Sequence, residues 1–145
     1  MSTTQVVNRK LLLALAVAGL AIVPLMAAPA TSHASACGYQ YWGGFSSPWG
    51  WIPNGQLTHC IRGRGTYIEW DGANFGSAAN ICDSSMRFTY GYGAQVMKGN
   101  IHYGCSKVGQ WKYYIRRRVP RGDACAELWA KRWRVRVARQ CHYVH

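Results

Sequence analysis

Apolar and polar residues alternate along several short stretches of the chain, and this period of two predicts β-strands rather than helices. The clearest alternation covers residues 86–92. Residues 110–117 alternate in the same way, with Trp111 on the apolar face and Arg116 on the basic face. Shorter alternating stretches at 39–41 and 66–70 predict further strands, and an Asp-Gly pair at 71–72 predicts a turn after the second. Gly- and Pro-rich segments separate the stretches. We therefore expect a mainly β domain, a small sandwich or barrel.

Residues 123–130 fit two structures. Asp123 is a suitable cap for a short helix, in which Glu127 and Lys131 form an i,i+4 ion pair. A hairpin centred on Trp133 instead creates three cross-strand pairs: Cys125 with Cys141, Glu127 with Arg139 and Trp129 with Val137. One continuous helix would hold the two cysteines about 24 Å apart. We predict mostly strand here, with a short helix near Asp123 as the alternative.

The first 36 residues predict a secretory signal peptide. Arg9 and Lys10 precede an uncharged apolar run at 11–23, and small residues follow it. The apolar run is too short for a spanning helix. We expect cleavage after Ala36, with Ala30 as the other candidate site. Residues 37–145 then form a single secreted, extracellular domain without stable membrane insertion.

Six cysteines follow the expected signal, and an even number in a short exported chain predicts three disulfides. They recur about every twenty residues, at Cys37, Cys60, Cys82, Cys105, Cys125 and Cys141. A sequential pairing would close three loops of similar size, although the sequence allows other connectivities. Histidines beside some of these cysteines suggest zinc, but the chain contains no C-x-x-C pair. We expect neither a metal nor a cofactor.

Positive charge is concentrated in the last third of the chain. The whole sequence has 17 Lys and Arg against five Asp and Glu. Eleven of the basic residues lie between the cysteines at 105 and 141, namely Lys107, Lys112, Arg116, Arg117, Arg118, Arg121, Lys131, Arg132, Arg134, Arg136 and Arg139. This uneven distribution of charge indicates the kind of partner that the surface contacts rather than the fold of the chain.

Candidate catalytic groups are few. Glu69 and Asp71 would share one face of a strand, as a glycosidase pair requires, but they stand in no recognisable motif. Four histidines, His59, His102, His142 and His145, suggest acid–base cleavage of RNA. His59 and His142 adjoin cysteines, and His142 and His145 lie at the C-terminus. No G-x-S-x-G motif is present. We therefore expect a protein that is not an enzyme.

Arginine interleaved with Trp and Tyr suits a protein interface or an anionic surface. The expected binding residues are Trp111, Arg116, Arg117, Arg118, Arg121, Trp133, Arg134 and Arg136. The segment 119–122, Val-Pro-Arg-Gly, also has the sequence of a loop that docks into a trypsin-like specificity pocket. The aromatic-rich segment 39–51 fits a platform for sugars, or rings that fill a small core.

Several local contexts resemble small secreted proteins of filamentous actinobacteria. They are Ala36-Cys37-Gly38-Tyr39, His59-Cys60, the segment 89–92 after Cys82, and Ile101-His102-Tyr103-Gly104-Cys105. Some proteins of this kind are adaptors of umbrella toxin particles. The resemblance covers residues 37–105 and implies a module that bridges a lectin-bearing, trypsin-like subunit to a large toxin subunit.

Together these observations predict a secreted, non-catalytic adaptor that binds another exported protein through its basic third, in an antibacterial toxin complex. Three alternatives remain: a cationic antibacterial protein that binds envelope polyanions, a secreted ribonuclease toxin, and an inhibitor of a trypsin-like protease.

Overall fold

The computed structural model describes residues 35–145. The expected signal peptide therefore lies outside the described residues, except for its last two positions. Nine strands and no helix are present in the described range, which confirms the expected mainly β fold. The strands are β1 (Ala36–Trp42), β2 (Phe45–Ser47), β3 (Gly50–Ile52), β4 (Gly55–Arg64), β5 (Tyr67–Tyr90), β6 (Gln95–Lys98), β7 (His102–Arg118), β8 (Gly122–Ala130) and β9 (Val135–Val144).

Strand β5 organises the fold because it is long enough to pair with four other strands. Its first part lies between β4 and β7, and its last part, from Ser85 onward, lies between β6 and β8. Pairing with β4 ends at Ser77, whereas β7 remains a partner as far as Ser84, across a break in register between Gly76 and Ile81. Strand β1 extends the sheet beyond β4, and β9 extends it beyond β8. All of these pairings are antiparallel.

The sheet bends until β9 lies beside β1, giving a nearly closed, barrel-like sheet. The approach is close: a Cβ atom at Gly38 of β1 would lie 2.6 Å from Gln140 Nε2 and 2.9 Å from the His142 ring. The interior contains alternate residues of several strands, including Leu57, Phe75 and Phe88, all buried. Apolar burial on this inner face supplies the main favourable free energy of folding.

Three disulfides join sheet neighbours, as the even cysteine count predicted. The pairs are Cys37–Cys60, Cys82–Cys105 and Cys125–Cys141, which is the sequential pairing. In each case the two cysteines are direct cross-strand partners, between β1 and β4, β5 and β7, and β8 and β9. Three disulfides are consistent with an extracellular or secreted protein.

The alternative of a short helix near Asp123 is wrong. Residues 122–130 form strand β8, because β5 and β9 supply backbone partners on both of its edges. The hairpin register predicted for Cys125 and Glu127 is confirmed, since these residues face Cys141 and Arg139. Trp129 faces Arg136 rather than Val137, because a bulge follows Leu128. A bulge adds one residue to one strand and so shifts the pairing by one position.

The predicted turn at Asp71-Gly72 is also wrong, because β5 continues straight through it. Gly72 pairs with Cys60 on one side and Lys112 on the other. Asp71 points inward and is fully buried.

Candidate functional site

The basic third of the sequence separates into two places in the structure. Arg116, Arg117 and Arg118 end β7, where Arg117 and Arg118 pair with the first half of β5 and Arg116 lies in a register shift. The turn between β8 and β9, residues 131–134, lies against the middle of β5 instead. The backbone N–H groups of Lys131 and Arg132 donate to the carbonyl oxygens of Cys82 and Asp83, at 3.0 and 3.2 Å.

The three consecutive arginines are exposed and sparsely held. Arg118 Nη1 donates a hydrogen bond to Thr66 Oγ1 at 3.2 Å, and the Arg116 guanidinium lies 5.1 Å from the centre of the Tyr114 ring. Arg121 is exposed in the β7–β8 connection, between half-buried Pro120 and buried Gly122. These arginines therefore present exposed positive charge with few contacts that would fix the side chains in one binding shape.

Trp111, expected at the binding surface, lies in the core instead. It is 3% exposed, and its ring stacks on His102 with centroids 4.2 Å apart. Its indole Nε1–H donates to Asn100 O at 2.9 Å. The alternation placed Trp111 on the apolar face of β7, and that face points inward, where Trp111 packs near Phe75.

The β8–β9 turn has an unusual backbone. Lys131, Arg132 and Trp133 have φ angles of 53°, 56° and 69°, all in the left-handed region. Each non-glycine residue there costs about 1–2 kcal/mol. Consecutive positions of this kind usually contain glycine, which avoids that cost. The hairpin therefore keeps two cationic side chains and one indole at positions where glycine would be more stable.

Aromatic rings surround these cations. The Arg134 guanidinium lies 4.2 Å from the centre of the Trp49 ring, and that of Arg132 lies 5.5 Å from Tyr103. Trp133 is half-buried beside Trp129, at a centroid distance of 6.3 Å. We call Trp49, Lys131, Arg132, Trp133 and Arg134 the cationic–aromatic surface. Guanidinium groups stacked on indole are ordered and stay available to hydrogen-bond a partner.

A buried carboxylate anchors the neighbouring strands. Glu127 is 3% exposed, and Arg136 and Arg139 approach its Oε1 at 3.6 and 3.5 Å. Arg87 makes the closest contact to Glu127, and Trp129 Nε1 donates to the same carboxylate at 3.2 Å. Arg136, one of the expected binding residues, is thus partly engaged in this internal cluster.

A second buried polar cluster was not predicted from the sequence. His59 Nε2 lies 2.8 Å from Asp71 Oδ1, and Tyr90 O–H donates to Asp71 Oδ2 at 2.8 Å. His59 Nδ1 lies 3.1 Å from the carbonyl oxygen of Gln140. Both ring nitrogens of His59 therefore lie within hydrogen-bond distance of an oxygen atom, one from Asp71 and one from Gln140. Burial, and then the Asp71 charge, raise the pKa of Tyr90 far above its usual value.

The histidines proposed for RNA cleavage are dispersed or buried. His59 is fully buried and cannot contact a phosphate. His142 stacks near it, with ring centroids 4.9 Å apart, and burial lowers the pKa of His142. His102 lies against Trp111, and His145 stacks on Tyr143.

Glu69 and Asp71 do not share a face. Next to Glu69 the register of β5 shifts with respect to both neighbouring strands, β4 and β7. Glu69 therefore points outward, where it forms an ion pair with Arg62 at 3.2 Å, while Asp71 points into the core. The bulge breaks the alternation on which the glycosidase pair depended.

All six cysteines are in disulfides and none is free. Asp123 lies near Cys125 and Cys141, but the sulfur atoms of this group form a bridge and offer no thiolate.

No protein-family model, curated protein or solved structure matches the chain. Within residues 35–145, no helix is long and apolar enough to cross a membrane. The fold and the surface thus define a disulfide-linked β protein with a cationic–aromatic surface.

Proposed function

We propose that the chain is a secreted, non-catalytic module that binds another exported protein through its cationic–aromatic surface. The observation that carries the proposal is the left-handed backbone of Lys131, Arg132 and Trp133. Strained non-glycine residues occur mainly where function requires their side chains. Two of the three strained positions here, Arg132 and Trp133, carry residue types that anchor protein interfaces most often.

The surface is also pre-organised. Two backbone hydrogen bonds fix the turn to β5, and the Arg132 Nε atom lies 3.3 Å from Asp83 Oδ2. Asp83 is held in turn, because it accepts a hydrogen bond from Gly104 N at 3.0 Å. A surface that is already ordered loses little conformational entropy when it binds. A cleft of about 390 Å³, lined by Trp49, Asp83, Lys131, Arg132 and Arg134, offers a place for a partner side chain.

The chemistry of the surface specifies the partner. Guanidinium groups bind carboxylates in a bidentate manner, and exposed indole packs on apolar or aromatic groups. The partner should therefore present acidic residues around an apolar centre. In the role suggested by the actinobacterial resemblance, the module bridges two subunits of an antibacterial toxin complex, one of them lectin-bearing and trypsin-like.

Binding of an envelope polyanion is the second candidate, and the arginine run at 116–118 favours it. Exposed, sparsely held cations suit a flexible polyanion, which needs charge more than shape. In the adaptor role the same arginines would speed association by long-range attraction.

The salt dependence of binding distinguishes a protein partner from an envelope polyanion. The tagged protein should be captured from its native culture medium in 0.1 M and 0.5 M NaCl, together with two variants. W133A/R134A removes the centre of the proposed surface. R62A/R64A is the control that also removes basic side chains, from a part of the sheet outside the surface.

The proposal predicts one stoichiometric protein partner that persists at 0.5 M NaCl, is lost with W133A/R134A and is retained with R62A/R64A. A buried interface depends weakly on salt, whereas polyanion binding weakens steeply. Recovery of an anionic polymer that salt removes would support the second candidate. Recovery of the same partner with W133A/R134A would contradict the proposed surface.

A further inference from the structure

The outer face of β1, β4, β5 and β7 carries an ordered array of uncharged side chains. In one cross-strand row, Tyr39 pairs with Thr58, Thr58 with Asn74, and Asn74 with Gln110. Neighbouring strands are about 4.8 Å apart, so this row extends for about 14 Å. Asn74 and Gln110 are both exposed.

A second cross-strand row on the same outer face also consists of uncharged residues, and one of them is a glycine without a side chain. Tyr41 pairs with Gln56, Gln56 with Gly76, and Gly76 with Val108. Gly76 leaves a notch in the middle of this row, because a Cβ atom added there would meet nothing within 4 Å. The two rows form the floor of the region that we call the amide face.

The amide face opens into a cleft of about 1150 Å³. Trp42 and Tyr41 contribute aromatic rings to it, and Asn54 adds another amide. Trp42 is fixed, since its Nε1–H donates to Pro53 O at 2.6 Å. Among the described residues that line the cleft, Lys107 is the one that carries a charge.

We propose that the amide face binds a neutral saccharide chain. A primary amide both donates and accepts hydrogen bonds, as sugar hydroxyls do. Aromatic rings offer an apolar surface to the C–H face of a pyranose. A nucleic acid would require clustered cations, and the cleft has one lysine.

This site is separate from the cationic–aromatic surface and shares no residue with it. The saccharide proposal therefore stands or falls independently of the protein partner. The saccharide proposal also gives a role to the aromatic residues at the end of β1, which the sequence left undecided between a sugar platform and core filling.

The test is a titration of the 15N-labelled, oxidised protein with cellohexaose, chitohexaose and maltohexaose, with a hexamer of galacturonic acid as the anionic probe. At least one neutral hexamer should shift the side-chain NH2 signals of Asn74 and Gln110, and the shift should be the same in 0.1 M and 0.5 M NaCl. The galacturonate hexamer should bind more weakly.

Three variants locate the site. N74A/Q110A removes two hydrogen-bonding groups and should weaken binding at least about tenfold. G76V places a Cβ atom where nothing lies within 4 Å, so it should fold normally, and its methyl groups should fill the notch and abolish binding. N100A removes an exposed amide outside the cleft and should change nothing.

Near-UV circular dichroism confirms that each variant is folded. The proposal is overturned if none of the three neutral hexamers shifts the Asn74 and Gln110 signals, or if folded G76V binds as well as the unmodified protein. A preference for galacturonate that salt abolishes would overturn it as well.

Discussion

At the scale of single residues, the most consequential feature is the buried contact between His59 and Asp71. Both side chains are fully buried, and the pair is completed by Tyr90 and the carbonyl of Gln140. These partners come from β4, β5 and β9. Removing the Asp71 carboxylate breaks this buried pair and leaves buried polar groups without their partner, which is strongly destabilising.

Substitution D71N should therefore lower the free energy of unfolding by about 3 kcal/mol or more. The measurement is urea unfolding of the oxidised protein at pH 7. E69Q, two positions earlier on the same strand, is the matched control. Its ion pair with Arg62 is largely exposed, and the expected change is within about 0.5 kcal/mol. Equal effects of the two substitutions would contradict the buried pair.

The second residue-scale prediction concerns pH and His142. Burial lowers the pKa of His142 in the folded protein, and the hydrogen bond to the His59 backbone and the Asp71 carboxylate oppose this shift only in part. The unfolded chain therefore binds more protons as the pH falls below about 6.5. The contribution of neutral His142 is complete above that value and is lost as the pH falls toward the folded pKa.

Variant H142Q keeps a donor for the carbonyl of His59 but does not titrate. Its stability should consequently decline less between pH 7 and pH 5 than that of the unmodified protein. Urea unfolding at several pH values provides the comparison. An identical pH dependence in both proteins would show that His142 does not contribute as described.

The sequence predicted few of these internal contacts. Asp71-Gly72 has the composition of a turn. The residues around this pair do not indicate that the folded sheet places His59 and Tyr90, which are distant in the sequence, next to Asp71. The burial of Asp71 also depends on the bulge at Glu69, which local alternation does not reveal. Trp111 was placed on the correct face of its strand, but its function was misassigned because that face turned out to be the core.

At the scale of elements, the β8–β9 hairpin shows where sequence reasoning succeeded and where it stopped. Opposite charges and paired cysteines gave the right register for Cys125 and Glu127. The register fails after Leu128, where the bulge lies, and the turn contains no glycine that would have marked its backbone. Local residue pairs thus determine most of the hairpin, while its turn depends on contacts with β5.

The strained turn yields an element-scale prediction. Glycine adopts the left-handed conformation of Lys131 without steric cost, so K131G should leave stability unchanged or raise it by up to about 1 kcal/mol. Partner binding should weaken at the same time, because the turn loses a cationic side chain. Thermal unfolding and capture of the partner measure the two effects. A clear loss of stability would contradict the strain argument.

At the scale of the whole molecule, the alternating pattern was sufficient for the mainly β class but not for the closure of the sheet. A 24-residue strand that changes neighbours midway has no distinct signature in the sequence. Closure depends on β9 reaching β1, where Gly38 permits the close approach. The cysteines contributed most at this scale, since their even number and regular spacing anticipated the three bridges.

The closed sheet also explains why one basic segment produces two different surfaces. Strand β7 carries its arginines along the first half of β5, whereas the β8–β9 turn docks near Cys82 and Asp83, in the middle of that strand. In the proposed function, the arginines of β7 attract the partner at long range, whereas the residues of the β8–β9 turn make the fixed contacts with it. The amide face, on β1, β4, β5 and β7, is nearly free of charge and stands apart from both.

The most direct test of the central claim is size-exclusion fractionation of native culture medium, with mass spectrometry of the fractions that contain the chain. If the chain binds a second exported protein through the cationic–aromatic surface, it should elute in a defined complex with that protein in 0.5 M NaCl, and folded W133A/R134A should elute alone. Elution of the unmodified chain as a bare monomer under the same conditions would contradict it.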